Sequence, residues 1–227
     1  MLALICMIID HAGLALFPNI GAFRCVGRLA FPLYCFLLTQ GYLHTRNVPA
    51  YGRRLLLTAI LSEIPFDLLI FGRLSSAMEQ NVLFSLLFGL LALIAVNTSK
   101  KKPLTAWFMV ISLCMCAMIA RVSFGWLGIA LCLSAYFARQ KKTLLCLYTS
   151  LSLSAYSLSL ILAGVAQSWV LVSVCALFSL VPLLFYNGKR GLRSRLCTFL
   201  FYAAYPLHLL ALVLIRTMRI IPPNFFN

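Results

Sequence analysis

Residues 81–102 read NVLFSLLFGLLALIAVNTSKKK, and this stretch decides the class of fold. No charge appears from Asn81 to Ser99, and then three lysines follow at once, Lys100, Lys101 and Lys102. At ~1.5 Å per residue, residues 81–98 as a helix reach about the thickness of a bilayer's hydrocarbon core. The lysine cluster marks where such a helix returns to water.

The same pattern recurs along the chain. Apolar runs fall at 1–17, 24–44, 54–72, 104–121, 123–138, 143–165, 168–187 and 197–215. With 81–98 they make about nine spans, so the expected fold is all-α, a polytopic transmembrane helix bundle. The span at 123–138 is the shortest of the nine. Composition agrees. Of 227 residues, 63% are hydrophobic and 10% are charged, whereas a soluble domain is about a quarter charged. Four acids, Asp10, Glu63, Asp67 and Glu79, are too few to cover a soluble surface. No linker, low-complexity tract or repeat divides the chain, and 1–227 reads as a single integral membrane domain. The first span carries Asp10 and His11 and lacks a leading basic segment, so it is expected to be retained rather than cleaved as a signal peptide.

Basic residues predict the orientation. Arg46, Arg53 and Arg54; Lys100 to Lys102; Arg139, Lys141 and Lys142; and Lys189, Arg190, Arg193 and Arg195 occupy alternate loops. The intervening loops and the carboxyl end hold only Arg24, Arg73, Arg121, Arg216 and Arg219. The positive-inside rule puts the first set in the cytoplasm, with the amino terminus inside and the carboxyl terminus outside. The +15 net charge then belongs to basic loops facing anionic lipid rather than to nucleic-acid binding. Nine cysteines lie mostly in apolar runs, where cysteine acts as a small hydrophobe, and neither metal nor disulfide is expected.

Polar groups inside spans are costly and point to function. Asp10 and His11 in span one lie at about the depth of Arg28 in span two, because the hairpin turn is centred near residues 20 and 21. An Asp10–Arg28 ion pair that locks two helices is one reading. A proton-transfer site built on His11 is the other, since imidazole accepts and returns a proton near neutral pH. Glu63 and Asp67 in span three are four residues apart and share a helix face, so they call for a shared proton or a cation such as Arg28 or Arg73. His208 in span nine, beside Tyr205 and Pro206, matches His11 in depth, so the two histidines could face one cavity. It could equally be a simple interhelical hydrogen-bonder. No P-loop, GxGxxG, GxSxG or HExxH occurs.

Six segments in series, MIIDHAG (7–13), VGRLAFPLYCFLL (26–38), GYLHTRN (41–47), LSEIPFDLL (61–69), QNVLFSLLFGLL (80–91) and FYAAYPLHLLAL (201–212), resemble the TraX family of bacterial membrane proteins. That family's founding role is acetylation of the amino terminus of F-type conjugative pilin. It is also similar to membrane acyltransferases that use a membrane histidine and cytoplasmic acyl-CoA. The resemblance implies a bacterial inner-membrane acyltransferase, acetyl-CoA as donor and a pilin-like or envelope acceptor. It implies Asp10, His11, Arg28 and His208 as catalytic positions, with Glu63, Asp67, Asn81 and Tyr205 binding substrate. His11 would be general base or transient acyl carrier, Asp10 would fix its tautomer, and Arg28 would hold the oxyanion. Two positions depart from the family pattern: Gln40 and Ser123-Phe124-Gly125 stand where relatives often carry an acid. A transporter and a non-enzymatic assembly factor remain the rival expectations. The crowding of charge into spans one to three, without two related halves, speaks against a transporter.

Overall fold

The computed structural model describes residues 1–188 and 195–218, without the side chains at 195–198. Among the described residues the chain is helical throughout, with no strand beyond one isolated bridge between Gln80 and Val122. Nine helical segments follow one another: α1 Leu2–Leu16, α2 Gly21–His44, α3 Val48–Phe71, α4 Val82–Thr98, α5 Pro103–Ile119, α6 Leu127–Phe137, α7 Lys142–Leu162, α8 Gln167–Leu184 and α9 Arg195–Thr217. Four of these (α2, α7, α8, and α9 over Phe199–Thr217) are long and apolar enough to cross a membrane. Helix α3 is long as well but carries Arg53, Arg54, Glu63 and Asp67. Helix α6 has 11 residues and is flanked by the irregular segment 120–126. Lys189, Arg190, Arg193 and Arg219, and the expected outer carboxyl terminus, lie outside the described residues, as do the side chains of Arg195 and Cys197.

Prolines shape three of the helices. Pro32 offers no N–H to the carbonyl of Arg28, and α2 loosens into a turn at Arg28 and Leu29 before continuing. Pro182 likewise offers no N–H to the carbonyl of Phe178, next to a 3₁₀ turn at Cys175–Ser179 within α8. Pro206 lies inside α9, one turn before Leu210. At the ends, Asn47 and Asn81 cap α3 and α4 through their side-chain oxygens, and Gly72 closes α3 in the left-handed conformation at φ 66°.

Helices α2, α4 and α6 form the centre. Helix α1 packs on α2, α9 packs on α1 and α3, and α3 packs on α4; α5, α7 and α8 complete the far side. Lipid tails are as apolar as leucine, so close backbone approach and interhelical hydrogen bonds must hold such a bundle. At Gly89 a Cβ would lie 2.6 Å from Cys132 Sγ, which lets α4 and α6 meet closely. Thr39 on α2 donates to the carbonyl of Cys35 at 2.9 Å and borders that of Cys132 on α6 at 3.2 Å. Arg216 on α9 donates to the carbonyl of Leu69 on α3 at 3.0 Å. The outward faces are greasy: Phe108 is 72% and Leu61 69% exposed, as befits side chains facing hydrocarbon rather than water.

The loops fall at two ends. Lys142 donates to the carbonyl of Leu184 at 2.8 Å, so the loop after α6 and the end of α8 share the basic end. At the opposite end Gln80 N–H donates to Arg121 O at 3.0 Å and Ser123 N–H to Gln80 O at 3.0 Å, which stitches the loops before α4 and α6 together.

Candidate active site

A cavity of about 1070 Å³ runs between α1, α2, α3, α4 and α9. Near the basic end it is bordered by Met1, Tyr51 and Tyr202, and near the opposite end by Arg24, Glu79 and Trp169. Of the eight positions singled out from sequence, Asp10, His11, Arg28 and Tyr205 line it.

His208 stands directly behind His11. Its Nε2 lies 3.0 Å from His11 Nδ1, and its own Nδ1 lies 2.8 Å from the carbonyl oxygen of Ala204. A carbonyl only accepts, so Nδ1 of His208 carries the hydrogen. In neutral His208, Nε2 is then an acceptor, and the proton between the rings belongs to His11 Nδ1. Neutral His11 is thereby left with a lone pair on Nε2. Tyr205 packs edge-on to both rings, at 6.0 Å from His11 and 5.4 Å from His208.

Asp10 plays a different part from the one expected. It neither orients His11, whose Nδ1 is taken by His208, nor pairs with Arg28. Its carboxylate bonds Arg24 at 3.0 Å, the one salt bridge among the described residues. Helix α2 begins at Gly21, so Arg24 is a helical residue one turn before Arg28 rather than part of the loop. Gly27 makes room for the pair: any Cβ there would overlap the Asp10 side chain. Arg24 also lies over the Trp169 ring, 5.6 Å from its centre. Arg28 makes no salt bridge among the described residues, although its charge still acts on Asp10, and it sits 5.2 Å over the Phe124 ring.

The pair on α3 also departs from expectation. Glu63 and Asp67 do share a face, yet neither lines the cavity nor forms an ion pair among the described residues. Glu63 Oε2 accepts from the side-chain amide of Asn81 and, at 3.4 Å, from its backbone N–H. Asp67 Oδ2 accepts from Ser76 N–H at 2.7 Å. Asn81 is fully buried and spent within the protein: its amide also donates to Ala59 O at 2.9 Å, while its Oδ1 caps α4 through Leu83 N–H at 3.0 Å. These three groups hold the loop 72–81 against α3.

Besides Asp10, the acid that borders the cavity is Glu79, which accepts a 2.7 Å bond from Ser123 Oγ. Ser123 Oγ also donates toward Gln80 O at 2.8 Å, and Ser85 Oγ bonds Ser123 O. Next to it Phe124 adopts φ 63°, a left-handed conformation that a bulky residue seldom takes, and its ring stacks on Phe31 at 4.1 Å. Arg24, Glu79 and Phe124 thus join the site. Sequence pattern pointed to the third only through the departure at Ser123-Phe124-Gly125.

A family model for the TraX protein matches residues 1–216. This chain belongs to the TraX family. The TraX match spans every element that borders the cavity. Among curated proteins, a probable fimbrial assembly protein, FimC of serogroup H1, from Dichelobacter nodosus is 34% identical over 228 residues, covering 92% of this chain and 90% of that protein. A shorter likeness, 51% over 35 residues, links it to an uncharacterized protein of Rickettsia prowazekii, covering 15% of this chain and 14% of that one. No solved structure matches.

Proposed function

We propose that this TraX-family membrane protein is an acetyltransferase of the bacterial inner membrane, moving an acetyl group from cytoplasmic acetyl-CoA to an amine or hydroxyl of a pilin-like or other envelope acceptor. The single observation that carries the reading is the His11–His208 pair, which leaves a basic Nε2 on a residue lining a cavity that borders both ends of the bundle. The fimbrial relative supports a pilin-like acceptor.

Each residue then has a task. Nε2 of His11 takes the proton from the acceptor nitrogen or oxygen as that atom attacks the thioester carbonyl. Arg28, unpaired and fixed over Phe124, holds the oxyanion of the tetrahedral intermediate. Collapse breaks the C–S bond, and the imidazolium returns its proton to the departing thiolate. His208 accepts from Nδ1–H throughout and stabilises the imidazolium, the work an aspartate does in a serine-hydrolase triad. At the basic mouth Tyr202 lies near Arg54, a cation suited to the phosphates of coenzyme A. Glu79 attracts a cationic acceptor at the other mouth, and an ammonium there gives up one proton to solvent before the neutral amine attacks.

Protein purified into lipid nanodiscs and given radiolabelled acetyl-CoA with a hydrophobic peptide bearing a free amino terminus should transfer label to the peptide. His11→Ala should abolish transfer while eluting as a folded protein. Label uptake into sealed vesicles without covalent product would instead mark a carrier, and neither result would leave an assembly factor.

A further inference from the structure

The wall that carries Arg28 has a second side. Arg28, Phe31, Phe124, Tyr156 and Trp169 border the long cavity, and the same five border a smaller space of about 200 Å³ between α2, α6, α7 and α8. The rest of its wall is mainly apolar, with Leu127, Leu153, Leu160 and Ala176 prominent. Ser173 also borders it, but its hydroxyl is already engaged, 2.9 Å from Ser157 Oγ on α7 and 2.7 Å from Val170 O. That hydroxyl pair ties α7 to α8 at the back of the space.

We propose that this space is a specificity pocket for the apolar side chain of the residue whose amino group receives acetyl; the inference rests on the acyltransferase reading. The chemistry converges on an amino-terminal residue. Its ammonium, its carbonyl and its side chain all leave one Cα, so a site that reads it must bring an acid, a donor and a pocket together. Glu79 and Arg28 border the main cavity, and the pocket adjoins it across the wall that contains Arg28 itself. The volume is below the ~300–1,000 Å³ typical of pockets for drug-sized ligands, so it suits one side chain rather than a whole molecule. A membrane acyl chain would overrun it. The pocket favours an apolar side chain, because most of its wall is apolar or aromatic and a carboxylate there would engage Arg28 and draw it from the oxyanion.

The test uses transmembrane peptides in nanodiscs that differ only in the first residue: Gly, Ala, Leu, Phe or Asp. With labelled acetyl-CoA, the kcat/KM for Leu and Phe should exceed that for Gly by about tenfold or more, the discrimination an apolar pocket can supply, and Asp should be poorest. Ala176→Phe and Leu160→Trp, which fill the space from two different helices, should each bring the Leu to Gly ratio close to one; two variants guard against one that misfolds. A peptide whose first residue is photo-leucine is crosslinked in parallel without acetyl-CoA. Crosslinks should map to the segments holding Leu153, Leu160 and Ala176, and both filled variants should lose them. Equal rates across the panel, label on lipid instead of peptide, or crosslinks outside the pocket would overturn the proposal. Pocket crosslinks without any acetyl transfer would overturn the acyltransferase reading alone.

Discussion

His11 Nδ1 and His208 Nε2 lie 3.0 Å apart although 197 residues separate them in the chain. One ring comes from the first helix and the other from the last, and the bond between them fixes which nitrogen of His11 is basic.

That bond makes the two histidines unequal. His11→Ala should lower acetyl transfer by roughly 10²–10⁴-fold, the usual worth of a general base. His208→Gln, whose amide oxygen can stand where Nε2 accepts, should keep much more activity than His208→Ala. Steady-state kcat measured on all three, beside thermal stability in detergent, separates the roles. An active His11→Ala protein would sink the proposed chemistry.

The Asp10–Arg24 bridge predicts a stability pattern. Arg24→Ala removes the one arginine in salt-bridge contact with the Asp10 carboxylate, leaving it only the more distant charge of Arg28, and should cost up to roughly 3–5 kcal/mol. Arg24→Ala combined with Asp10→Asn should recover much of that loss, because the carboxylate that lost its partner is gone. Denaturation midpoints of the three proteins test it. A double variant no better than Arg24→Ala would show that the pair is not coupled.

Asn81 gives the clearest contrast with the residues lining the cavity. Asn81→Ala removes the α4 cap, typically about 1 kcal/mol, and strips Glu63 Oε2 of its side-chain donor. The expected result is lower thermal stability with the KM for acetyl-CoA unchanged. A large rise in KM at normal stability would return Asn81 to the binding site.

Topology has its own test. Reporter fusions after Asn47, Lys101 and Lys141 should all report cytoplasm, and fusions within the loops at 17–20 and 163–166 should report the outside. A single exchanged loop would break the alternation that the basic residues predict.

Much of this was legible in the hydropathy pattern. Each apolar run corresponds to one helical segment, because a residue placed in hydrocarbon must satisfy its backbone internally. Equal depth allowed His11 and His208 to approach each other, since rise per residue is fixed, but did not show that His208 would stand behind His11 rather than on the cavity wall. Arg24 was misplaced because α2 starts three residues before the apolar run, and a charge near a turn looks like a loop residue until its partner is seen. Glu63 and Asp67 were read toward the cavity because spacing gives a shared face but not which face. Their true partners, Asn81 and the backbone of Ser76, come from the path by which the loop 72–81 returns, and no periodicity encodes that path. The left-handed turn at Phe124 is equally silent, for a bulky residue there breaks the usual preference for glycine.

The placement of the two rings on the first and last helices also dictates when the protein can work. Helix α9 closes against α1 and α3, supplies Tyr205 to the cavity wall and sets His208 behind His11. Helix α9 must therefore be made and inserted before His11 acquires the neighbour that sets its tautomer. Until that moment the imidazole of His11 lacks the partner that fixes its tautomer, so under the proposed chemistry assembly itself would delay the reactive state.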